Sequence, residues 1–187
     1  MKIIAGKYRN RAIPTLKSLD YRPSTTKFRE ALFSILSSGE FQDSNAVIGA
    51  KVLDLFSGTG ILSFEALSRG AFSVMLVDNK IDHLKLARDF AQTISDTKQV
   101  KTLLLDVMRL PRSIDQYNLV FMDPPYYKDY VVKSLNILIE HDYLSKGAII
   151  AIEMESRGEF ELPSAMQLIK KKVYGNNKLI LLRYEQS

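Results

Sequence analysis

The sequence predicts an α/β fold: a seven-stranded, mostly parallel sheet that ends in an antiparallel hairpin and is preceded by a short N-terminal extension. Three observations predict it. From residue 51 to residue 154, short apolar runs alternate with stretches of helical apolar periodicity, the order of a parallel sheet covered by helices on both faces. The first run flows into Gly58 and Gly60 and then a helical stretch, a turn that brings a ligand close to bare backbone at a helix N-terminus. The chain closes on two strand-like runs joined by Gly175-Asn-Asn177, a hairpin signal.

Residues 1–16 alternate loosely between apolar and polar, broken by Gly6 and Pro14, and read as one or two short strands or a hairpin. Tyr21-Arg-Pro-Ser-Thr25 is a loop, because Pro23 disfavours helix just before it. Ser24, Thr25 or Thr26 is placed to cap a helix starting there. Phe28, Leu32, Phe33 and Leu36 recur at helical spacing, which predicts a helix over 27–38, with a connector over 39–49. Strands are expected at 51–56, 73–77, 101–105, 117–122 and 147–154, and helices at 60–69, 80–94 and 128–140. In the second of these helices Ile81, Leu84, Ala87, Ala91 and Ile94 share one face. The runs at 166–174 and 179–184 make the hairpin, so two strands join five parallel ones, one of the two antiparallel. A basic extension over 1–39 is expected to pack on a domain over 40–187, the whole a single compact unit.

With 46% hydrophobic and 25% charged residues, the 187-residue chain has the composition of a soluble globular protein. Cysteine is absent, which excludes disulfides, cysteine-ligated zinc or iron–sulfur centres and thiolate nucleophiles. No apolar run approaches the roughly 18 residues of a membrane span, and no signal peptide opens the chain. The expectations are a cytoplasmic protein, no membrane and no metal. His83 and His141 fall in helix-like stretches and read as exposed or helix-packing residues.

The net charge of +5 is unevenly placed, because residues 1–30 carry +6 and the remaining 157 carry −1. A basic segment on a nearly neutral domain is the footprint of a polyanion partner. Ile3, Ile4, Tyr8, Ile13 and Leu16 give that segment apolar residues with which to pack.

Asp54, Asp78, Asp106 and Asp123 fall at or near the carboxyl ends of the first four strands, where open α/β sheets bind ligands. Asp78 lies roughly 20 residues past the glycine turn, the spacing of a carboxylate that accepts ribose hydroxyls. A nicotinamide dinucleotide is one candidate, but Ser63 stands where its third glycine belongs. Asp54 suits a ligand with a cationic head group. S-adenosylmethionine (SAM) has an amine, a sulfonium and an adenosine but no pyrophosphate, and is favoured. Asp106 is placed to meet the adenine amine, with helix capping an even alternative.

Asn118-Leu-Val-Phe-Met-Asp123-Pro-Pro-Tyr126 sets a carboxylate, two rigid prolines and an aromatic at the mouth of a buried strand. Prolines fix the backbone and donate no N–H, which leaves nearby carbonyls free to accept. An exocyclic amine offers two N–H donors, which Asp123 and a proline carbonyl can take while Tyr126 stacks on the base. Methylation at a pyrimidine C5 normally needs a cysteine nucleophile; transfer to nitrogen needs alignment and charge stabilisation.

Asp123-Pro-Pro-Tyr126 downstream of a strand–Gly-x-Gly unit resembles the SAM-dependent amino-methyltransferases. Ile4-Ala-Gly-Lys-Tyr-Arg9, Arg22-Pro-Ser-Thr25, Arg29-Glu-Ala-Leu-Phe33, Asp54-Leu-Phe-Ser-Gly-Thr-Gly60 and Glu65-Ala-Leu-Ser-Arg-Gly-Ala71 closely resemble the RsmD family nearly end to end. The resemblance implies a Rossmann-like class I SAM-dependent methyltransferase fold. It also implies methyl transfer to the N2 amine of a guanine in bacterial 16S ribosomal RNA, guanine 966, within a small-subunit particle and by a monomer. It would place the methionine end of SAM against Asp54, Ser57, Gly58 and Gly60, the ribose on Asp78 and adenine near Asp106, with Phe56, Asn79, Val107 and Asp123 also in the cofactor site. Its catalytic motif would be Asp123, Pro124, Pro125 and Tyr126. RNA contacts would come from Lys7, Tyr8, Arg9 and Arg11, from Arg22, Pro23, Ser24 and Thr25, and from Arg29. Two departures stand out: Ser24 replaces the family's common Thr, and Lys80 replaces a second acid after the ribose carboxylate, leaving Asp78 alone there.

Two other readings compete. A DNA or RNA adenine or cytosine amino-methyltransferase shares the tetrapeptide, but the residues after Tyr126 leave no room for a DNA-reading domain. A non-catalytic SAM-binding RNA or ribosome-assembly factor would not need a carboxylate beside two free carbonyls.

Overall fold

In the computed structural model, which describes residues 1–15, 25–39, 45–125 and 129–185, the apolar runs become strands. They are β1 (Lys51–Leu55), β2 (Ser73–Asp78), β3 (Val100–Leu104), β4 (Tyr117–Met122), β5 (Leu144–Glu155), β6 (Met166–Tyr174) and β7 (Asn177–Tyr184). The helices are α1 (Thr26–Ser37), α2 (Ile61–Ser68), α3 (Ile81–Thr93) and α4 (Tyr130–Glu140). Among the described residues the strands form one sheet in the order β3-β2-β1-β4-β5-β7-β6. The first five run parallel, and β7 is antiparallel to both of its neighbours. Strand order reverses between β1 and β4, which opens a crevice beyond their carboxyl ends. The fold is Rossmann-like α/β, as the sequence predicts.

Both faces of the sheet are covered, which is why its central strands are apolar at consecutive positions. On one face Val52, Phe64, Leu76 and Phe121 belong to a core that also takes in Phe33 of α1, Leu84 of α3 and Ile3 and Ile13 of the extension. On the other, Leu53, Leu55, Val120 and Ile150 pack with Leu135 and Leu138 of α4. Helix α1 closes the first core, with Phe33 edge-on to Phe121 at 5.7 Å and Phe28 edge-on to Tyr174 at 5.8 Å. Thr25 supplies its N-cap, accepting from the Phe28 N–H at 3.2 Å.

Three features differ from the sequence expectation. β5 starts earlier, at Leu144, because the backbone passes through an irregularity at Gly147 (φ +75°) between the Tyr117–Leu144 and Leu119–Ile149 pairs. A 3-10 turn at Val107–Arg109, capped by Asp106, joins the predicted elements. Among the described residues the extension contains a single antiparallel bridge, Lys2 to Ala12, rather than full strands.

The extension is tied down through α2. The Ile4 and Ala5 N–H groups donate to the Glu65 carboxylate at 2.7 and 3.1 Å. Lys7 N–H donates to the Ser68 carbonyl at 2.7 Å, and Tyr8 N–H to its hydroxyl at 2.9 Å. Gly6 makes this approach possible: its φ is +83°, and a Cβ there would lie 1.8 Å from the Ser68 carbonyl oxygen. Arg69 Nε donates to Glu65 at 2.7 Å, and Arg29, 2% exposed, sits 4.0 Å from it while donating to the Lys2 carbonyl at 3.0 Å. Among the described residues no helix is long and apolar enough to cross a membrane.

Candidate active site

At the end of β1 the backbone turns through three left-handed residues, Phe56 (φ +59°), Gly58 (φ +54°) and Gly60 (φ +80°). Phe56 is not glycine, so the turn holds local strain of the kind that clusters at ligand sites. The turn is pinned to β2, with Ser57 N–H donating to the Val77 carbonyl at 3.1 Å and Gly58 N–H to Asp78 Oδ2 at 2.8 Å. Gly60 is required by packing rather than by a ligand, since a Cβ there would lie 2.4 Å from Leu76 Cδ2.

Beyond this turn lies a cavity of about 330 Å³ at the carboxyl ends of the strands. Phe56, Gly58, Asp78 and Asn79 form one wall, with Lys80 and His83 behind them. Leu105, Asp106 and Val107 form the second, and Asp123, Pro124, Pro125 and Tyr130 close the third. The rings of Phe56 and Tyr130 meet edge-on at 5.9 Å. Asp78 accepts from Gly58 and, through Oδ1, from Lys80 N–H at 2.8 Å. An ionised carboxylate has about four acceptor positions, so Asp78 keeps two for a pair of ligand hydroxyls. Asp106 Oδ1 accepts from Met108 N–H at 2.9 Å; it therefore caps the 3-10 turn and faces the cavity at once.

Asp54 lies below this floor, 3% exposed, and accepts from the Ser63 hydroxyl at 2.6 Å. Burial pushes its carboxyl up to about 7, with the charge of Asp78 adding to the rise and Ser63 opposing it. Ser63, the residue that breaks the dinucleotide glycine pattern, is therefore a partner for Asp54. Asp123 is half-buried at the mouth and raised well above the carboxylate range, first by burial and then by the charges of Glu153 and Asp54. The Ser57 and Thr59 hydroxyls are buried without a partner among the described residues, a rare condition for polar groups and one that a polar ligand relieves.

The structure thus gathers Phe56, Gly58, Asp78, Asn79, Asp106, Val107, Asp123, Pro124 and Pro125 around one cavity, and sets Asp54, Ser57 and Gly60 beneath or behind its wall. Tyr126, Arg22, Pro23 and Ser24 lie outside the described residues. Among the residues expected to meet RNA, Lys7, Arg9, Arg11 and Thr25 are exposed. Two corrections apply to that set. Arg29 is buried against Glu65 and Lys2, and Tyr8 is buried with its hydroxyl donating to Asp96, so both hold the extension in place.

Sequence reasoning misses Thr59, Leu105 and Tyr130 at the site, and two titratable residues besides. His83 reads as an exposed or helix-packing residue, yet it lines the cavity with Nδ1 3.4 Å from Asp78 Oδ1; its position in the first helical turn after Asp78 is the available signal. Glu153, 5% exposed and accepting from Asn177 Nδ2 at 2.6 Å, is the fifth strand-end carboxylate, visible as the first of two acids that close the apolar run of β5.

Comparison with known proteins gives the chain its relatives. The model of the family described as conserved hypothetical protein 95 matches residues 1–183. The uncharacterized methylase RP545 of Rickettsia prowazekii is 35% identical over 98% of each chain. Ribosomal RNA small subunit methyltransferase D of Buchnera aphidicola is 32% identical, covering 91% of this chain and 86% of that one. Among solved structures, yhhF of Escherichia coli, named as a candidate methyltransferase, superposes with a TM-score of 0.86 at 28% identity, over 99% of this chain and 98% of that one.

Proposed function

We propose, since this chain belongs to the conserved hypothetical protein 95 family, the RsmD family of SAM-dependent methyltransferases, that it methylates the exocyclic N2 amine of a guanine in 16S ribosomal RNA. The guanine is the one at position 966, reached within a small-subunit particle by a monomeric, cytoplasmic enzyme. One observation carries this reading: Asp123, Pro124 and Pro125 stand at the mouth of the cavity whose opposite walls hold Asp78 and Asp106. An amine-binding motif and a nucleoside-binding floor share one space.

SAM is the cofactor, and the residues present suit it. The free acceptor positions of Asp78 match ribose hydroxyls, and the unpartnered Ser57 and Thr59 hydroxyls and the buried Asp54 carboxyl match a polar, cationic methionine end. Bound there, SAM supplies an electrophilic methyl group on a sulfonium. The chain does the rest. Asp123 and the Pro124 carbonyl accept the two N–H groups of the amine, which turns its nitrogen lone pair toward the cavity. Phe56 and Tyr130 wall off water from the space between. The amine sheds a proton as it is methylated, and Asp123, raised by burial and by Glu153, takes it more readily than an ordinary carboxylate would. The Gly58 and Lys80 N–H groups hold Asp78 in a fixed orientation, with His83 packed beside it.

Labelled methyl transfer from SAM to ribosomal RNA and to small-subunit particles, taken from cells lacking the protein, tests the proposal after nuclease digestion. N2-methylguanosine is the expected product. Methyladenine, methylcytosine or label entering DNA would sink the base assignment, and bound SAM without any transfer would favour the assembly-factor reading.

A further inference from the structure

We propose that the pole of the sheet opposite the catalytic cavity is a second docking surface, for the phosphate backbone of the RNA substrate, centred on Lys51, Lys98 and Lys101 around the exposed ring of Phe72. The proposal rests on the reading of the substrate as RNA. Strands β1, β2 and β3 all begin at this pole: Lys51 opens β1, Phe72 precedes β2, and Lys98 and Lys101 flank the start of β3. Together they line a cleft of about 250 Å³ with Tyr117 and Asp115. Gln99 Nε2 donates to the Phe72 carbonyl at 3.0 Å, which fixes the start of β3 against the residue whose side chain is 61% exposed.

The N-terminal extension brings two more cations to the same pole. Helix α2 runs back from the cavity, and its last turn lies beside the start of β1, where Gly49 N–H meets the Gly70 carbonyl at 2.8 Å. The extension docks on that turn, with Lys7 Nζ 3.6 Å from Asp96, two residues before Lys98, and with Arg9 exposed beside it. Lys51, Lys98 and Lys101 thus share their cleft with Asp115, and Lys7 pairs with Asp96 next to it.

The cavity has the opposite character: Asp78, Asp106 and Asp123 line it with Lys80. A polyanion that delivers a guanine to an acid-lined mouth gains its electrostatic attraction elsewhere, because phosphate contacts position nucleic acid while the base pocket selects it. The lysine cleft supplies that attraction, and Phe72 a surface on which an unpaired base can stack. The five residues of β1 hold the two poles roughly 17 Å apart, at about 3.3 Å per residue. A short oligonucleotide carrying the target guanine can fill the cavity without reaching the lysines, whereas a folded subunit reaches both.

The test uses the full chain and the triple variant Lys51→Gln/Lys98→Gln/Lys101→Gln, all three side chains being exposed. Small-subunit particles and a short target oligonucleotide serve as substrates, and particle binding is measured against salt. The variant is expected to raise KM for particles at least tenfold and to lower the slope of log affinity against log salt by about two to three, at roughly 0.7–0.9 per phosphate contact. SAM affinity, kcat and KM for the oligonucleotide should stay at wild-type values. Phe72→Ala should weaken particle binding about tenfold with no change in salt slope. A variant with wild-type particle KM and salt slope would overturn the proposal, as would equal losses on particle and oligonucleotide. The slope is read from binding, so it decides the docking surface even where the modified base proves not to be guanine, the result that would sink the proposed function alone.

Discussion

The two ends of helix α2 make opposite uses of polar side chains. At its C-terminal end the polar groups find partners: Glu65 accepts from Ile4, Ala5 and Arg69 and faces Arg29, while Ser68 accepts from Lys7 and Tyr8. At its N-terminal end Ser57 and Thr59 keep buried hydroxyls without partners among the described residues, and Asp54 is held close to neutrality. Saturated polar networks rigidify, and unsaturated ones carry a desolvation cost that a bound ligand can lift. The contrast teaches that one eight-residue helix joins a site kept ready for a ligand to a joint that holds the extension.

The comparison makes graded predictions. Removing Glu65 is expected to have the largest effect, because the Ile4 and Ala5 N–H groups and the Arg69 guanidinium lose their acceptor and the buried Arg29 loses a carboxylate 4.0 Å away. Glu65→Ala should cost about 4 kcal/mol of stability, a Tm lower by roughly 8–16 °C, measured by calorimetry. A loss below about 1 kcal/mol, the worth of one ordinary hydrogen bond, would show that the joint carries little. Asp123→Ala should slow methyl transfer by about 10²–10³-fold, or about 3–4 kcal/mol, while isothermal titration still finds SAM bound; equal losses in binding and rate would assign Asp123 to the cofactor.

Asp54 sharpens the comparison through pH. Its carboxyl titrates at about 7 in the folded protein against 3.8 ordinarily, so between those values the native state holds a proton that the unfolded chain has lost. Stability therefore falls as pH rises from about 4 to about 7 and levels off above. Asp54→Asn keeps the acceptor for Ser63 and removes this slope. It should stabilise the protein at about pH 8 by about 4 kcal/mol relative to its effect at about pH 4, visible in paired urea titrations, while weakening SAM. An unchanged pH slope would remove Asp54 from this role. The smallest effect belongs to Ser57→Ala. Deleting an unpartnered hydroxyl should leave stability unchanged or slightly higher, yet lower SAM affinity by about 1 kcal/mol, roughly five- to tenfold; a drop in stability with full SAM affinity would reverse the reading of that end of α2.

Much of the fold is legible in the chain because its periodicities are local. The runs that become β1, β2 and β4 are apolar for the length of a strand and bounded by glycine or aspartate, and most of the face that α3 buries is visible in the spacing of Leu84, Ala87, Ala91 and Ile94, although Ile81, read onto the same face, is 49% exposed. The family resemblance finds the motifs but not their partners. Ile4-Ala-Gly-Lys-Tyr-Arg9 and Glu65-Ala-Leu-Ser-Arg-Gly-Ala71 stand as separate signatures in the sequence, and the structure shows that they are two halves of one contact. Arg29 and Tyr8 read as RNA contacts because a cation and an aromatic in a basic segment look the same whether they face solvent or a buried acid. His83 escapes notice because helical spacing places a residue on a face without saying what that face meets.

By itself, then, the sequence determined which residues form strands and helices, where the glycine turn lies, and which four aspartates close the strands. Those are properties of neighbours along the chain, set by backbone freedom, proline geometry and the alternation of apolar side chains. Only the tertiary structure decided which charges are spent on the protein itself and which remain for a ligand. Glu65 with Arg29 and Asp54 with Ser63 are joined across separate elements, and burial pushes the Asp54 carboxyl up. Desolvation and pairing depend on what lies across a few ångströms of space, and no spacing along the chain records that distance.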